Sequence, residues 1–284
     1  MRARTVRTTK LSDFQSEIRA TGGYRTHDDC RAVKRAKPGA LTTLRYSWGL
    51  TKVFPWCAFS QPLGKLTTEY WSGLCFNSVT TAERLGMNVI IEGFSNRAKY
   101  GGPVLYLCNH MSMTETIVLP PVLLSFGPFS YVAKASLAHL PFLEKAAERM
   151  RMVPISRKSP REDLMSILRI GSDRIGGGDS FLIFPQGTRC DVFSRKRYSS
   201  IGAKLAERAG CPVVPLVVDT RCQPTRKSGV LAKVFKDYGP VDTSRDIRIA
   251  CGPVIPCAKS KELHEAAFDW MAAKLESWGL PVER

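Results

Sequence analysis

His110 and Glu115 are the residues of this chain whose types and spacing could run a reaction. They lie in Cys108-Asn109-His110-Met111-Ser112-Met113-Thr114-Glu115, directly after the apolar run at 104–107. A histidine just past a strand, with a carboxylate a few residues on, is a compact general base. The carboxylate accepts the Nδ1 proton, fixes the tautomer and stabilises the imidazolium formed when Nε2 takes a proton. One continuous helix would put positions i and i+5 on different faces, so the spacing predicts His110 in a turn and Glu115 in the helix after it. Alone, His-x4-Glu is a weak signal that recurs by chance.

A second motif strengthens it. Phe184-Pro185-Gln186-Gly187-Thr188-Arg189 follows another apolar run, at 181–183. A glycine turn after a strand exposes backbone N–H groups, and the planar cation of Arg189 beside them suits a phosphate or a carboxylate. Together the two motifs resemble those of the lysophospholipid acyltransferase family (1-acylglycerol-3-phosphate acyltransferase-like), which usually carries Asn-His-x4-Asp and Phe-Pro-Glu-Gly-Thr-Arg. Lys134-Ala-Ser-Leu137-Ala-His-Leu-Pro141-Phe142 with Val153-Pro154-Ile155-Ser156-Arg157 is similar to that family's second block. Cys211-Pro212-Val213-Val214-Pro215-Leu216 is similar to its last, proline-containing strand.

The resemblance implies a fatty acyl transfer from an acyl thioester, acyl-CoA or acyl carrier protein, to the free hydroxyl of a lysophospholipid. It implies His110 as general base with Glu115 orienting it, and Asn109, Lys134, Arg157, Gly187, Thr188 and Arg189 as substrate-binding residues. Two positions depart from the family's pattern. Glu115 stands for aspartate, and its longer side chain can still reach the imidazole if the helix sits slightly further back. Gln186 stands for glutamate, which removes a negative charge beside the phosphate site and leaves an amide that can hydrogen-bond but not serve as a base. These departures keep other acceptors open, glycerol 3-phosphate or a lyso-aminolipid. The rival class is a non-catalytic, basic lipid- or nucleic-acid-binding protein on the same fold.

Composition narrows the field further. The 284 residues suffice for a good core, and 44% of them are hydrophobic. The formal charge of +17 favours anionic partners, a phospholipid surface or an acidic carrier. No zinc finger, RNA-binding aromatic signature or basic zipper helix accompanies it, so nucleic acid is not expected. Nine scattered cysteines without a Cys-x-x-Cys pair fit a reducing compartment. Cys108, beside His110, reads as a buried structural thiol on the strand. No metal-ligand spacing and no cofactor motif is present. Neither a secretory signal nor an apolar run of spanning length is found, so the expectation is a monotopic, membrane-associated protein on the cytoplasmic face.

The elements that must position these residues follow from periodicity. Residues 1–40 are polar and basic and read as a mobile or loosely docked arm. Residues 41–85 carry two aromatic-rich segments parted near 61–64, which could supply the membrane-facing helical pair that the resemblance implies. Residues 86–284 alternate strands and helices, predicting an α/β domain with a mixed sheet flanked by helices. Strands are expected at 88–93, 104–108, 131–133, 152–155, 181–184, 213–218 and 247–254, and helices at 114–126, 143–150, 161–175, 201–209 and 261–278. Pro215 within its strand points to a sheet edge or an opening towards ligand. His27, His139 and His264 read as structural or surface residues without a nearby carboxylate.

Overall fold

A computed structural model of the protein describes residues 7–32, 34–135, 144–156, 158–224 and 239–284. The first element is helix α1 (Leu11–Thr21), whose Phe14 and Ile18 are fully buried. Helix α1 is therefore packed against the rest of the chain through this face. The Leu11, Phe14, Ile18 spacing is helical, and Phe14 packs on Tyr24 and Phe76 at ring separations of 4.7 and 4.9 Å. Strand β1 (Tyr24–Arg25) then joins the sheet, and His27 Nε2 lies 2.9 Å from a Glu17 carboxylate oxygen, a partner the sequence reading had denied it.

Helices α2 (Ala40–Thr51), α3 (Val53–Ser60) and α4 (Thr68–Arg84) follow. They bury Tyr46, Leu50, Val53, Cys57, Trp71, Cys75 and Val79 while leaving Leu41, Leu44, Trp48, Trp56, Phe59 and Leu63 exposed. Thr67 caps α4 by accepting from the Tyr70 N–H.

The alternating part comes next, in the order β2 (Val89–Glu92), α5 (Ser95–Lys99), β3 (Leu105–Cys108), α6 (Thr114–Leu123), β4 (Phe129–Lys134), α7 (Glu144–Arg149), β5 (Met152–Ile155), α8 (Pro160–Gly176) and β6 (Ser180–Ile183). It closes with β7 (Phe193–Ser194), α9 (Ile201–Ala209), β8 (Val213–Asp219), β9 (Ile247–Cys251), α10 (Ser260–Ser277) and β10 (Val282–Glu283). Eight of these strands form one mixed sheet in the order β1-β2-β9-β8-β3-β6-β4-β5, and β7 pairs with β10 beside it. The strands β8, β3, β6, β4 and β5 run parallel, with helices between them. The predicted α/β class and mixed sheet are what the structure holds.

Pro215 does not mark an edge. Its strand β8 sits between β3 and β9 in the middle of the sheet. The β8–β9 register begins one residue later, at Leu216 opposite Cys251, so the missing proline N–H is not called upon there. The Pro215 carbonyl instead accepts from the Gly252 N–H at 2.8 Å.

This topology fixes where chemistry can gather. In parallel sheets the strand ends that share a direction share an edge, and ligands bind in the crevice outside the carboxyl ends. The carboxyl ends of β3, β4, β6 and β8 therefore bring residues 109–115, 134, 184–189 and 219–220 to one side of the sheet. Gly202 lets α9 lie directly on β3, since a Cβ there would come within 2.3 Å of Leu107 Cδ2.

Candidate active site

The chain leaves β3 at a fixed point because Asn109 extends the pairing with β8. Its amide donates to the Val218 carbonyl at 2.9 Å and accepts from the Val218 N–H at 2.8 Å, in a side chain that is almost fully buried. Both ends of Asn109 are thus engaged with backbone. These bonds set the start of the turn, and Asn109 is not among the residues lining the cavity onto which His110 opens.

His110 follows, part-buried, with Nδ1 2.8 Å from Glu115 Oε1. The turn holds His110, and Glu115 is the second residue of α6, as the spacing predicted. A buried carboxylate only accepts, so Nδ1 donates and Nε2 is the nitrogen left for proton transfer. The ring of Phe184 stacks on the imidazole at 4.4 Å and 24°, which fixes its plane. Glu115 is fully buried and accepts on both oxygens: Oε1 from the Met111 and Ser112 N–H groups at 2.6 and 2.7 Å, Oε2 from the Ser112 and Thr220 hydroxyls at 2.8 and 2.6 Å. Burial alone would raise its pKa, but the hydrogen bonds from His110, Thr220 and the Ser112 N–H, with the charge of His110, hold it below the ordinary carboxyl value. Glu115 is therefore an anion fixed under the imidazole. Cys108 is no nucleophile, because burial pushes its thiol well above the usual range.

The second motif closes over the first. Gly187 takes the left-handed conformation at φ 67°, and its N–H donates to the Phe184 carbonyl at 2.9 Å to complete the turn. The Cys190 N–H donates to the His110 carbonyl at 2.8 Å, so the two motifs are joined through backbone. Gln186 is buried and donates its amide to the Val192 carbonyl at 3.1 Å. It thus braces its own loop.

His110 lines a cavity of about 730 Å³ that runs under β4 and β6 towards α3 and α4. Its wall is apolar where Val53, Phe54, Trp71, Phe129, Tyr131 and Leu182 face it. Lys134, Gly187, Thr188 and Arg189 also line it, so these expected binding residues do come together with His110. Arg197, from the segment between β7 and α9, joins them. Arg157 and residues 136–142 of the second block, His139 among them, lie outside the described residues. Among the described residues no group of three side chains could hold a metal ion.

The comparisons with known proteins agree with this arrangement. The family model described as Acyltransferase matches residues 88–219, the span from β2 to the end of β8. A 1-acyl-sn-glycerol-3-phosphate acyltransferase of Pseudomonas aeruginosa is 34% identical over 131 residues, covering 46% of this chain and 49% of the relative. A lyso-ornithine lipid O-acyltransferase of the same organism is 27% identical over 161 residues, covering 56% of each chain. The chain thus spans about half the length of these curated relatives. The crystal structure of the 1-acyl-sn-glycerophosphate acyltransferase PlsC from Thermotoga maritima matches with a TM-score of 0.58 at 17% identity, over 84% of this chain and 95% of that one, a likeness of fold.

Proposed function

We propose that this protein, whose residues 88–219 match the Acyltransferase family model, moves a fatty acyl group from an acyl thioester to the free hydroxyl of a lysophospholipid, as the 1-acylglycerol-3-phosphate acyltransferase names of its relatives suggest. The observation that carries the reading is the buried Glu115–His110 pair opening onto an apolar cavity whose lining includes Lys134, Arg189 and Arg197. The apolar wall suits an acyl chain and the cations suit a phosphate.

In the reaction His110 Nε2 takes the proton of the acceptor hydroxyl as its oxygen attacks the thioester carbonyl. The imidazolium is held by the Glu115 anion at 2.8 Å. The tetrahedral intermediate then collapses with loss of the thiolate, and the imidazolium returns the proton to that sulfur. One ester and one thiol form from one alcohol and one thioester. Lys134, Arg189 and Arg197 orient the acceptor by its phosphate, with Gly187 and Thr188 shaping the turn beside it. Neither metal nor organic cofactor enters this scheme, and acyl-CoA and acyl carrier protein are the two donors to compare.

A lyso-lipid is the acceptor that the names of the relatives suggest, with glycerol 3-phosphate an arm of the same test. The buried Gln186 amide, braced on Val192 where the family usually has glutamate, gives weight to a lyso-aminolipid as second reading. A relative at 27% identity bears the name of such an enzyme.

Such acceptors sit in a bilayer, and α2 and α3 are suited to meet one. Trp48 and Phe59 are 60% and 71% exposed, with Arg45 and Lys65 exposed near them in the chain, while Val53 and Phe54 of the same helices line the cavity. No helix of the described residues is long and apolar enough to cross a membrane. The protein would therefore lie on an anionic surface, here taken as the cytoplasmic face. Acyl transfer from both thioesters to a panel of lyso-lipids on liposomes tests the proposal. Transfer abolished in His110→Ala upholds it, and folded, vesicle-bound protein that transfers to no acceptor overturns it.

A further inference from the structure

Thr220 stands directly after β8, one residue beyond the matched segment 88–219, and is fully buried. Its hydroxyl donates to Glu115 Oε2 at 2.6 Å across 105 residues of sequence. Ser112 Oγ lies 2.8 Å from the same oxygen and 2.9 Å from Thr220 Oγ1. A serine hydroxyl has one proton, so Ser112 can serve either the carboxylate or Thr220 at a given moment. The Thr220 proton is the one committed to Oε2.

We propose that Thr220 is a positioning residue for the His110–Glu115 pair, anchoring Oε2 so that Oε1 stays on His110 Nδ1. The same anchor is what fits a glutamate to a turn where the family usually carries aspartate. A glutamate has one more rotatable bond, and the torsion at its carboxylate is broad and roughly two-fold. Left alone, the plane of that carboxylate would swing and the Nδ1 contact would lengthen. Three donors on Oε1 fix one end of the carboxylate, and Thr220 with Ser112 fixes the other. Thr220 is not among the cavity-lining residues, so it acts through Glu115.

The other titratable groups around Glu115 are His110 from the turn, Cys108 from β3, Tyr46 from α2 and Cys222 after β8. Burial pushes Cys108 and Tyr46 well above their ordinary values and Cys222 up to about 12, so these three stay neutral across the working range. A change in the acid limb of activity after substitution at Thr220 therefore reports on the His110–Glu115 pair.

The kinetic readout rests on the acyl-transfer reading, and the spectroscopic one does not. Thr220→Val keeps the side-chain shape and removes the hydroxyl, and Thr220→Ser restores the hydroxyl. Thr220→Val is expected to lower kcat about tenfold, the size of one hydrogen bond to a charged group. KM should hold, and the acid limb of kcat should move to higher pH because the anion has lost a donor. Thr220→Ser should return both. The ¹⁵N–¹H ring correlations of His110 should change from a single tautomer to a mixture in Thr220→Val, read on free enzyme without substrate. Should the valine variant fail to fold, Thr220→Ala against Thr220→Ser carries the same comparison. An unchanged His110 spectrum with unchanged kcat and acid limb, in a protein that His110→Ala inactivates, overturns the proposal. If the wild type transfers no acyl group, the function reading falls and the spectrum alone decides on Thr220.

Discussion

At the scale of single residues, the site is a histidine between a carboxylate and an aromatic face. Glu115 supplies a fixed negative charge below the imidazole, and Phe184 holds the ring plane. General-base help is typically worth about 10²–10⁴ in rate. His110→Ala is therefore expected to lose at least a hundredfold in turnover while remaining folded, and a folded variant keeping more than a tenth of the activity would contradict the assignment. The depressed carboxyl of Glu115 has a consequence for stability. Its folded-state value lies below the ordinary value of about 4.5, so its contribution is complete above that pH and is lost only as the pH falls through the lower folded value. The stability gap between wild type and Glu115→Gln should hold from neutral pH down to the ordinary carboxyl range and close below it. Denaturant titrations at several pH values check this, and a gap that closes above pH ~5 would count against a low Glu115 value. Gln186 gives a prediction that runs against family resemblance. Gln186→Glu restores the usual residue but sets a buried carboxylate against the Val192 carbonyl. It should cost about 1–3 kcal/mol of stability and raise KM for a phosphate-bearing acceptor, because the loop that carries Arg189 loses its brace. Steady-state kinetics and thermal melts would show it, and an improved KM would refute it.

At the scale of elements, much of the site was legible because its signals are local. The run at 104–108 followed by Asn-His gave β3 and its turn, and the run at 181–184 gave β6 and the glycine turn. Both motifs carry their own strand, turn and side chain within ten residues or so of sequence. What escaped depends on contacts across the fold. The amide of Asn109 meets the Val218 backbone, a contact that only the β3–β8 pairing shows. Thr220 lacks any local signal, since its partner lies 105 residues back. Arg197 lies in the basic run Arg195-Lys196-Arg197, and only the cavity singles it out from its neighbours. Helix α1 was obscured by its charged neighbours, although Phe14 and Ile18 carry the helical spacing. Pro215 misled for a physical reason: proline is excluded from a central strand only where its N–H is needed, and the register with β9 starts one residue on. Gly187 offers a test at this scale. Its φ of 67° costs a residue with a Cβ roughly 1–2 kcal/mol. Gly187→Ala should lower stability by about that much and weaken acceptor binding more than it slows turnover, because Gly187 shapes the loop while His110 stays in place. Equal losses in both parameters would argue that the turn also holds the base.

At the scale of the whole molecule, charge and apolar surface act together. On the proposed reading, the formal charge of +17 would draw the protein to anionic surfaces, and the exposed aromatic side chains of α2 and α3 would give it something to insert. Trp48→Ser with Phe59→Ser should leave the fold intact, since both side chains are more than half exposed. It should weaken sedimentation with anionic vesicles severalfold and slow transfer to vesicle-borne acceptors. Binding of the wild type should fall with salt, as electrostatic attraction is screened within about 10 Å at 0.1 M. Vesicle binding untouched by the double substitution would move the docking face elsewhere. Retention of duplex DNA in preference to vesicles at physiological salt would sink the membrane reading. The proposal that His110 acts as the base while a lyso-lipid hydroxyl takes the acyl group from a thioester is checked by following the released thiol. Thioester donor and enzyme are mixed on liposomes with and without 1-acylglycerol 3-phosphate, and free thiol is read with a chromogenic reagent. The account predicts thiol release that depends on the acceptor, matches the new diacyl product one for one and vanishes in His110→Ala. Release at the same rate without acceptor, or at the same rate in the His110→Ala protein, would contradict it.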